Sequence, residues 1–204
     1  MPDISTYKVI ADVIVSPTDT IVIGSDVEQT YINSISLDNK VAVRGDIPTL
    51  YCGSFENSTT LTNAGITSSN LVSFDTTSTS KGITVVTDGT GMSRITFANS
   101  GRYLINFLGQ FAFTGGASNY NITVWWTKNG TIVTNGSSTF TTTSSQNSQI
   151  MANVEDIIDV TAGDYIQFYW WAGASGISLT PTAAASNPTR PASPSVKLNI
   201  FNVG

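Results

Sequence analysis

Apolar residues alternate with polar or small residues over most of the stretch between Ser100 and Ala172. Four sets place an apolar side chain at every second position: Tyr103, Ile105, Phe107, Phe111 and Phe113; Ile122, Val124 and Trp126; Ile150, Ala152, Val154, Ile158 and Val160; and Ile166, Phe168 and Trp170. Gly109 fills the gap in the first set, and Asp156 is the polar member of the third. A period of two is typical of a strand with one buried face, so the pattern predicts four long strands.

Turn residues separate these strands. Lys128-Asn129-Gly130 follows the second strand, and Ala162-Gly163-Asp164 follows the third. Asn, Asp and Gly tolerate the positive φ angles that tight reversals need. The strands should therefore be antiparallel and form a sandwich or a barrel.

Weaker strand patterns lie on both sides of this block. They predict short strands over residues 50–56, 71–74, 83–86, 94–97 and 196–200. Residues 75–81 are predicted as a polar loop, and the Ser/Thr-rich residues 137–148 as an exposed loop or an extra hairpin.

Residues 1–47 differ in texture, with short alternating pieces and few large apolar side chains. Such a segment cannot hold much of a core alone, so we expect it to pair with the rest of the chain, with sister subunits or with an attachment surface. The Gly and X-Pro steps in Arg44-Gly45-Asp46-Ile47-Pro48 favour an extended junction. The predicted domains are an N-terminal β attachment region, residues 1–47, and a larger domain, residues 48–204.

Three motifs carry a family resemblance. Gly101-Arg102-Tyr103, Lys128-Asn129-Gly130 and Val160-Thr161-Ala162-Gly163-Asp164-Tyr165 resemble, in order and spacing, the signatures of the C1q/TNF-like jelly roll. The segment from Asn187 to Val196, with the strand after it, is similar to a version found in virion proteins of tailed phages. The resemblance covers residues 50–204 and implies an all-β jelly-roll sandwich of about ten strands that assembles as a homotrimer.

The resemblance also implies where the subunits meet. In the family, one sheet packs towards the three-fold axis: it holds the first, third and last strands and the strand before Ala162-Gly163-Asp164. Carried onto this chain by strand parity, the implied interface consists of Tyr51, Phe55, Phe97, Met151 and Phe201.

Two Trp pairs point to a second surface. Neighbours on a strand face opposite sides, so each pair places one indole inside and one outside. Trp126 and Trp170 are in register with the apolar sets and are predicted in the core. An exposed aromatic cluster is typical of a partner surface, either subunit packing or a host glycan. The residues predicted to form it are Trp125, Tyr169 and Trp171.

Charge and composition limit the classes of partner that the chain can have. The net charge is −5 and the nine basic residues are scattered, which argues against nucleic acid. No apolar run is long enough to span a membrane, and the N-terminus shows no signal-peptide pattern, so we expect synthesis in a host cytoplasm. Cys52 is the only cysteine and is expected to be a small buried hydrophobe.

Catalytic machinery is not evident. The chain has no histidine, which removes Ser-His-Asp and Cys-His arrangements and most zinc sites. Among possible carboxylate pairs, Glu155 and Asp159 would lie roughly 13 Å apart on one strand, too far for a retaining glycosidase. Asp164 is assigned to its turn, and no calcium-loop motif occurs. The prediction is a protein without enzymatic activity, metal or cofactor.

Four functional hypotheses follow, and the first is favoured. The chain is a trimeric capsid decoration or head-fibre protein of a virion, attached to a capsid or other virion protein through residues 1–47. Alternatively, it is the receptor- or glycan-binding tip of a tail fibre. A polysaccharide-degrading enzyme is disfavoured by the missing catalytic residues, and a secreted signalling ligand by the missing signal peptide and disulfide.

Overall fold

A computed structural model describes residues 50–89, 91–114, 119–142 and 148–204. The predicted N-terminal β region, residues 1–47, and its boundary lie outside the described residues. Within them the chain forms strands, turns and loops, and no helix. The all-β prediction is confirmed.

Fifteen strands follow one another along these residues. Their bounds are β1 (Cys52–Asn57), β2 (Leu61–Thr62), β3 (Asn70–Leu71), β4 (Thr76–Lys81), β5 (Ile83–Thr87), β6 (Met92–Phe97), β7 (Gly101–Phe113), β8 (Asn121–Lys128), β9 (Thr131–Thr141), β10 (Gln149–Val160), β11 (Tyr165–Ala172), β12 (Ile177–Leu179), β13 (Ala185–Ser186), β14 (Thr189–Arg190) and β15 (Val196–Asn202).

Most strands belong to two antiparallel sheets. In sheet 1, β10 pairs with one edge of β7 and β15 pairs with the other. The far edge of β15 pairs with β1, and β1 pairs in turn with β4. Beyond the end of β15, the same edge of β7 pairs with β12, whose other edge pairs with β2. Sheet 2 has the order β5-β6-β11-β8-β9, and β3 also pairs with β11. The strands β13 and β14 form a separate pair.

The strand order is that of a jelly roll. β1, β10 and β15 share sheet 1, as the resemblance implied for the first and last strands and the strand before Ala162-Gly163-Asp164, and β7 lies between β10 and β15. The two sheets enclose one apolar core, as a β-sandwich does. The described residues form an all-β jelly-roll sandwich.

Aromatic rings join the two sheets across the core. Phe107 of β7 stacks on Phe168 of β11 at a centroid distance of 4.8 Å, and Phe111 meets Trp170 edge to face at 5.3 Å. Gly109 interrupts the alternation of apolar residues because the neighbouring large side chains leave no room for a side chain at this position. A Cβ there would lie 3.0 Å from Leu179 Cδ2, 3.0 Å from the Phe107 ring and 3.2 Å from the Phe111 ring.

Two predicted interface residues are inside the core, and their assignment to a subunit surface is wrong. Phe55 of β1 and Phe97 of β6 are fully buried. Phe55 pairs with the buried Leu198, and Phe97 lies in sheet 2, where its ring packs on Tyr103 at 4.9 Å. The large apolar side chains of these short strands point into the core between the two sheets. The residues that alternate with them on each strand therefore face outward.

Candidate functional site

The outer side of sheet 1, called here the sheet 1 face, carries a continuous row of apolar side chains. Cross-strand pairing aligns one residue from each of four strands, Ile157, Leu104, Phe201 and Cys52, called the apolar row. Ile157 is 58% exposed and Phe201 is 49% exposed. An exposed apolar surface that crosses four strands is typical of a protein–protein contact.

A polar row adjoins the apolar row. It consists of Glu155, Asn106, Asn199 and Ser54, aligned across the same four strands. Asn106 Nδ2 donates to Glu155 Oε2 at 3.1 Å, and Ser54 Oγ donates to Asn199 Oδ1 at 2.9 Å. Since these groups already have partners within the face, covering them with another subunit costs less than covering unpaired polar groups.

Ion pairs lie on both sides of these rows. Lys197 Nζ is 3.0 Å from Glu56 Oε1 on one side. On the other, the Arg102 guanidinium donates to both oxygens of Asp159, at 2.9 and 3.2 Å. The hydrogen bond from Arg102 lowers the pKa of Asp159 from its usual value. The face therefore presents paired charges beside its apolar row.

The remaining predicted interface residues have different positions. Phe201 lies in the apolar row, and Met151 is 55% exposed on the outward side of β10. Tyr51 is half-buried and packs against the core. Sequence reasoning missed Leu104 and Ile157. Each is an apolar residue next to a member of the core set, which was the available signal.

The outer side of sheet 2, called here the sheet 2 face, is aromatic. Trp125 of β8 and Tyr169 of β11 are paired across the strands, and their rings stack with centroids 5.9 Å apart and planes 13° apart. Trp171 is half-buried on the same face, where its Nε1 donates to Ile66 O at 2.6 Å. Trp126 and Trp170 are buried, which confirms their prediction as core residues.

A polar cluster lies beside the aromatic stack. The Asp88 carboxylate accepts from Arg94 Nη2 at 3.1 Å and from Gln167 Nε2 at 2.8 Å. The Arg94 guanidinium also lies 4.2 Å from the centroid of the Tyr165 ring. Burial raises the pKa of Tyr169, and the nearby Asp88 charge raises it further.

The Lys128-Asn129-Gly130 and Ala162-Gly163-Asp164 motifs meet in space. Asp164 accepts from Asn129 Nδ2 at 2.7 Å and from the Thr161 amide at 2.8 Å, and Lys128 Nζ is 2.9 Å away. These contacts lower the pKa of Asp164 to about 2, the Asn129 hydrogen bond being the largest cause. This carboxylate therefore joins two turns, and Asn129 and Gly130 supply the positive φ angles of the first turn.

The described residues contain no cluster of side chains suited to hold a metal ion. No group of three His, Cys, Asp or Glu side chains among them is close enough to hold a metal ion. The carboxylates of Glu155 and Asp164 are held by the contacts described above. Among the described residues there is no helix that is long and apolar enough to cross a membrane.

Comparison with known proteins finds a structural likeness at low similarity. No family model and no curated protein matches the chain. Among solved structures it is similar to the crystal structure of murine APRIL, with 12% identity over 76% of this chain and 100% of that chain, and a TM-score of 0.46. At this level the likeness says nothing of what the chain binds. The strand order and the enclosed core show a jelly-roll sandwich with two distinct outer faces.

Proposed function

We propose that the chain is a virion structural protein, a capsid decoration or head-fibre protein that forms a homotrimer through the sheet 1 face. The observation that carries this proposal is the apolar row on that face. Its two most exposed side chains, Ile157 and Phe201, remain about half exposed in the single chain. Sister subunits would cover them, and obligate homo-oligomer interfaces are apolar in this way.

The other parts of the face are compatible with burial in an assembly. The polar row is hydrogen-bonded within the face, and both ion pairs are closed within one chain. A neighbouring copy would therefore meet few unpaired charges, and a mismatch of like charges is what most often excludes a partner. The subunit number of three follows from the C1q/TNF-like resemblance.

The virion assignment is supported by the similarity of the Asn187–Val196 segment to tailed-phage proteins. The composition agrees with it: 11% of the chain is charged, and polarity comes from 25 Ser, 29 Thr and 16 Asn. Residues 1–47 are proposed as the attachment region for a capsid or other virion protein. The proposed location is the virion, after synthesis in the host cytoplasm.

Size-exclusion chromatography with light scattering on the full chain tests the assembly. We expect a mass three times 21.6 kDa. A monomer at micromolar concentration would contradict the proposed role of the sheet 1 face. Incorporation of the purified chain into particles that lack it then tests the virion assignment, and a trimer that does not bind particles would contradict that second step alone.

The second candidate function is receptor or glycan binding at the tip of a tail fibre. It is favoured by the stacked pair Trp125 and Tyr169 on the sheet 2 face. This face lies on the opposite side of the sandwich from the sheet 1 face, so both functions are compatible in one molecule.

A further inference from the structure

The sheet 2 face has a row of side chains whose sizes change abruptly at Trp125. Cross-strand pairing aligns Leu71, Tyr169, Trp125 and Ser137 in this order across four strands. Tyr169 covers one face of the Trp125 indole. Strands lie about 4.8 Å apart, so the other indole face is turned towards β9, where its neighbour is the small, exposed Ser137. The Trp125 indole therefore lies beside small side chains of β9. This indole and the neighbouring surface of β9 around Ser137 are called here the Trp125 shelf, and the β9 surface is called its floor.

The floor of the shelf is made of hydroxyl and amide groups. The Oγ1 atoms of Thr123 and Thr139 lie 3.1 Å apart, in the next outward-facing pair along the strands from Trp125 and Ser137. In the next pair, Thr141 Oγ1 donates to Asn121 Oδ1 at 3.0 Å. Thr139 and Thr141 are exposed, so these groups line the surface of β9.

Two buried polar atoms near the aromatic stack have no hydrogen-bond partner among the described residues. Thr127 is two residues from Trp125 on the same side of β8 and is only 5% exposed, and its Oγ1 is unpaired. Arg94 Nε in the neighbouring polar cluster is also buried and unpaired. Buried polar groups usually have a partner, so the unpaired Thr127 hydroxyl leaves one hydrogen bond in this part of the face unmade.

We propose that the Trp125 shelf binds a neutral saccharide. A pyranose ring has an apolar C–H face and a rim of hydroxyl groups. The indole face of Trp125 that Tyr169 leaves uncovered matches the first, and the hydroxyl floor of Thr123, Thr139 and Thr141 matches the second.

Charge selects among the possible ligands. The charged side chains beside the shelf, Asp88 and Arg94, form an ion pair, so the site offers no net charge to an anionic sugar. Single-stranded nucleic acid also stacks on aromatic rings, but it needs a basic groove that this face lacks among the described residues. A neutral sugar fits both observations.

This inference rests on the second candidate function, glycan binding at the sheet 2 face, and not on self-association, because the shelf and the sheet 1 face are on opposite sides of the sandwich. If the chain is a trimer, each particle-bound molecule would present three shelves. Weak binding at each shelf would then add to a much stronger attachment to a repeated surface glycan.

The test uses the full chain and three neutral probes, maltohexaose, cellohexaose and chitohexaose, with an oligogalacturonate as the anionic comparison. Titration calorimetry and tryptophan fluorescence should show saturable binding of at least one neutral probe with a Kd of about 1 mM or lower. We expect Trp125→Ala to weaken it at least about tenfold, the size of one lost aromatic contact. We expect a similar loss for Ser137→Leu, which fills the shelf from an exposed position without removing a core contact.

Thr84→Leu is the matched control. It adds the same side chain at an exposed position of β5, at the far edge of the same sheet. The proposal is overturned if no neutral probe binds, if the oligogalacturonate binds more tightly, or if Ser137→Leu binds as well as Thr84→Leu. It is also overturned if Ser137→Leu changes the mass of the chain in solution, because the shelf would then be a subunit contact.

Discussion

Phe201→Asp tests the proposed assembly most directly. Phe201 is 49% exposed in the single chain, within the apolar row. An aromatic side chain can bury roughly 200 Å². About 100 Å² of Phe201 therefore remains to be covered, which is worth about 2.5 kcal/mol per copy. Three copies in one assembly give about 7.5 kcal/mol, or roughly 3 × 10⁵-fold in the association constant. The introduced carboxylates would weaken the assembly further, because each would be buried without a partner.

Light scattering and sedimentation velocity at micromolar concentration should therefore find Phe201→Asp as a folded monomer. Ile132→Asp is the control, because Ile132 is 67% exposed but belongs to β9 in sheet 2. It should keep the wild-type mass. Circular dichroism on both variants separates dissociation from unfolding. A folded Phe201→Asp variant with the full trimer mass would refute the assignment of the sheet 1 face, whatever the mass of the control.

Three further predictions concern stability and attachment. The pKa of Asp164 is about 2 in the folded chain, below the value of about 3.9 for a free aspartate, so its contribution is complete above pH ~4 and is lost as the pH falls towards 2. Asp164→Asn should cost about 1 kcal/mol at pH 7, allowing for solvent screening, and should flatten the acid limb in urea titrations; an unchanged acid limb would contradict this. Gly109→Ala should cost about 1–3 kcal/mol in the same assay, because its Cβ would meet Leu179 and two Phe rings at 3.0–3.2 Å, whereas wild-type stability would mean that the core relaxes there. Deleting residues 1–47 should leave the solution mass at three subunits but abolish incorporation into particles, and particles that still take up the truncated chain would show that attachment lies elsewhere.

The long central strands could be predicted because each has a buried face. In β7, Tyr103, Ile105 and Phe107 point into the core and alternate with residues that do not. The strands β4 and β9 could not be predicted in this way. All six side chains of β4 are exposed, so nothing in its sequence alternates, and its strand conformation comes from backbone pairing with β1. Thr-rich edge strands of this kind have the polar composition of loops, although Thr has a high β-propensity.

The outer faces required a different kind of information. Strand parity can place Trp125 and Tyr169 on the same side of sheet 2, but their stacking depends on the register between β8 and β11. For sheet 1, the parity assigned to Phe55 was inverted, because a large side chain was assumed to belong to an interface before the core was filled. The reverse order of reasoning finds the apolar row. Once Tyr103 and Ile158 are assigned to the core, Leu104 and Ile157 are apolar residues on the opposite face, and a sheet that is apolar on both faces needs a second partner.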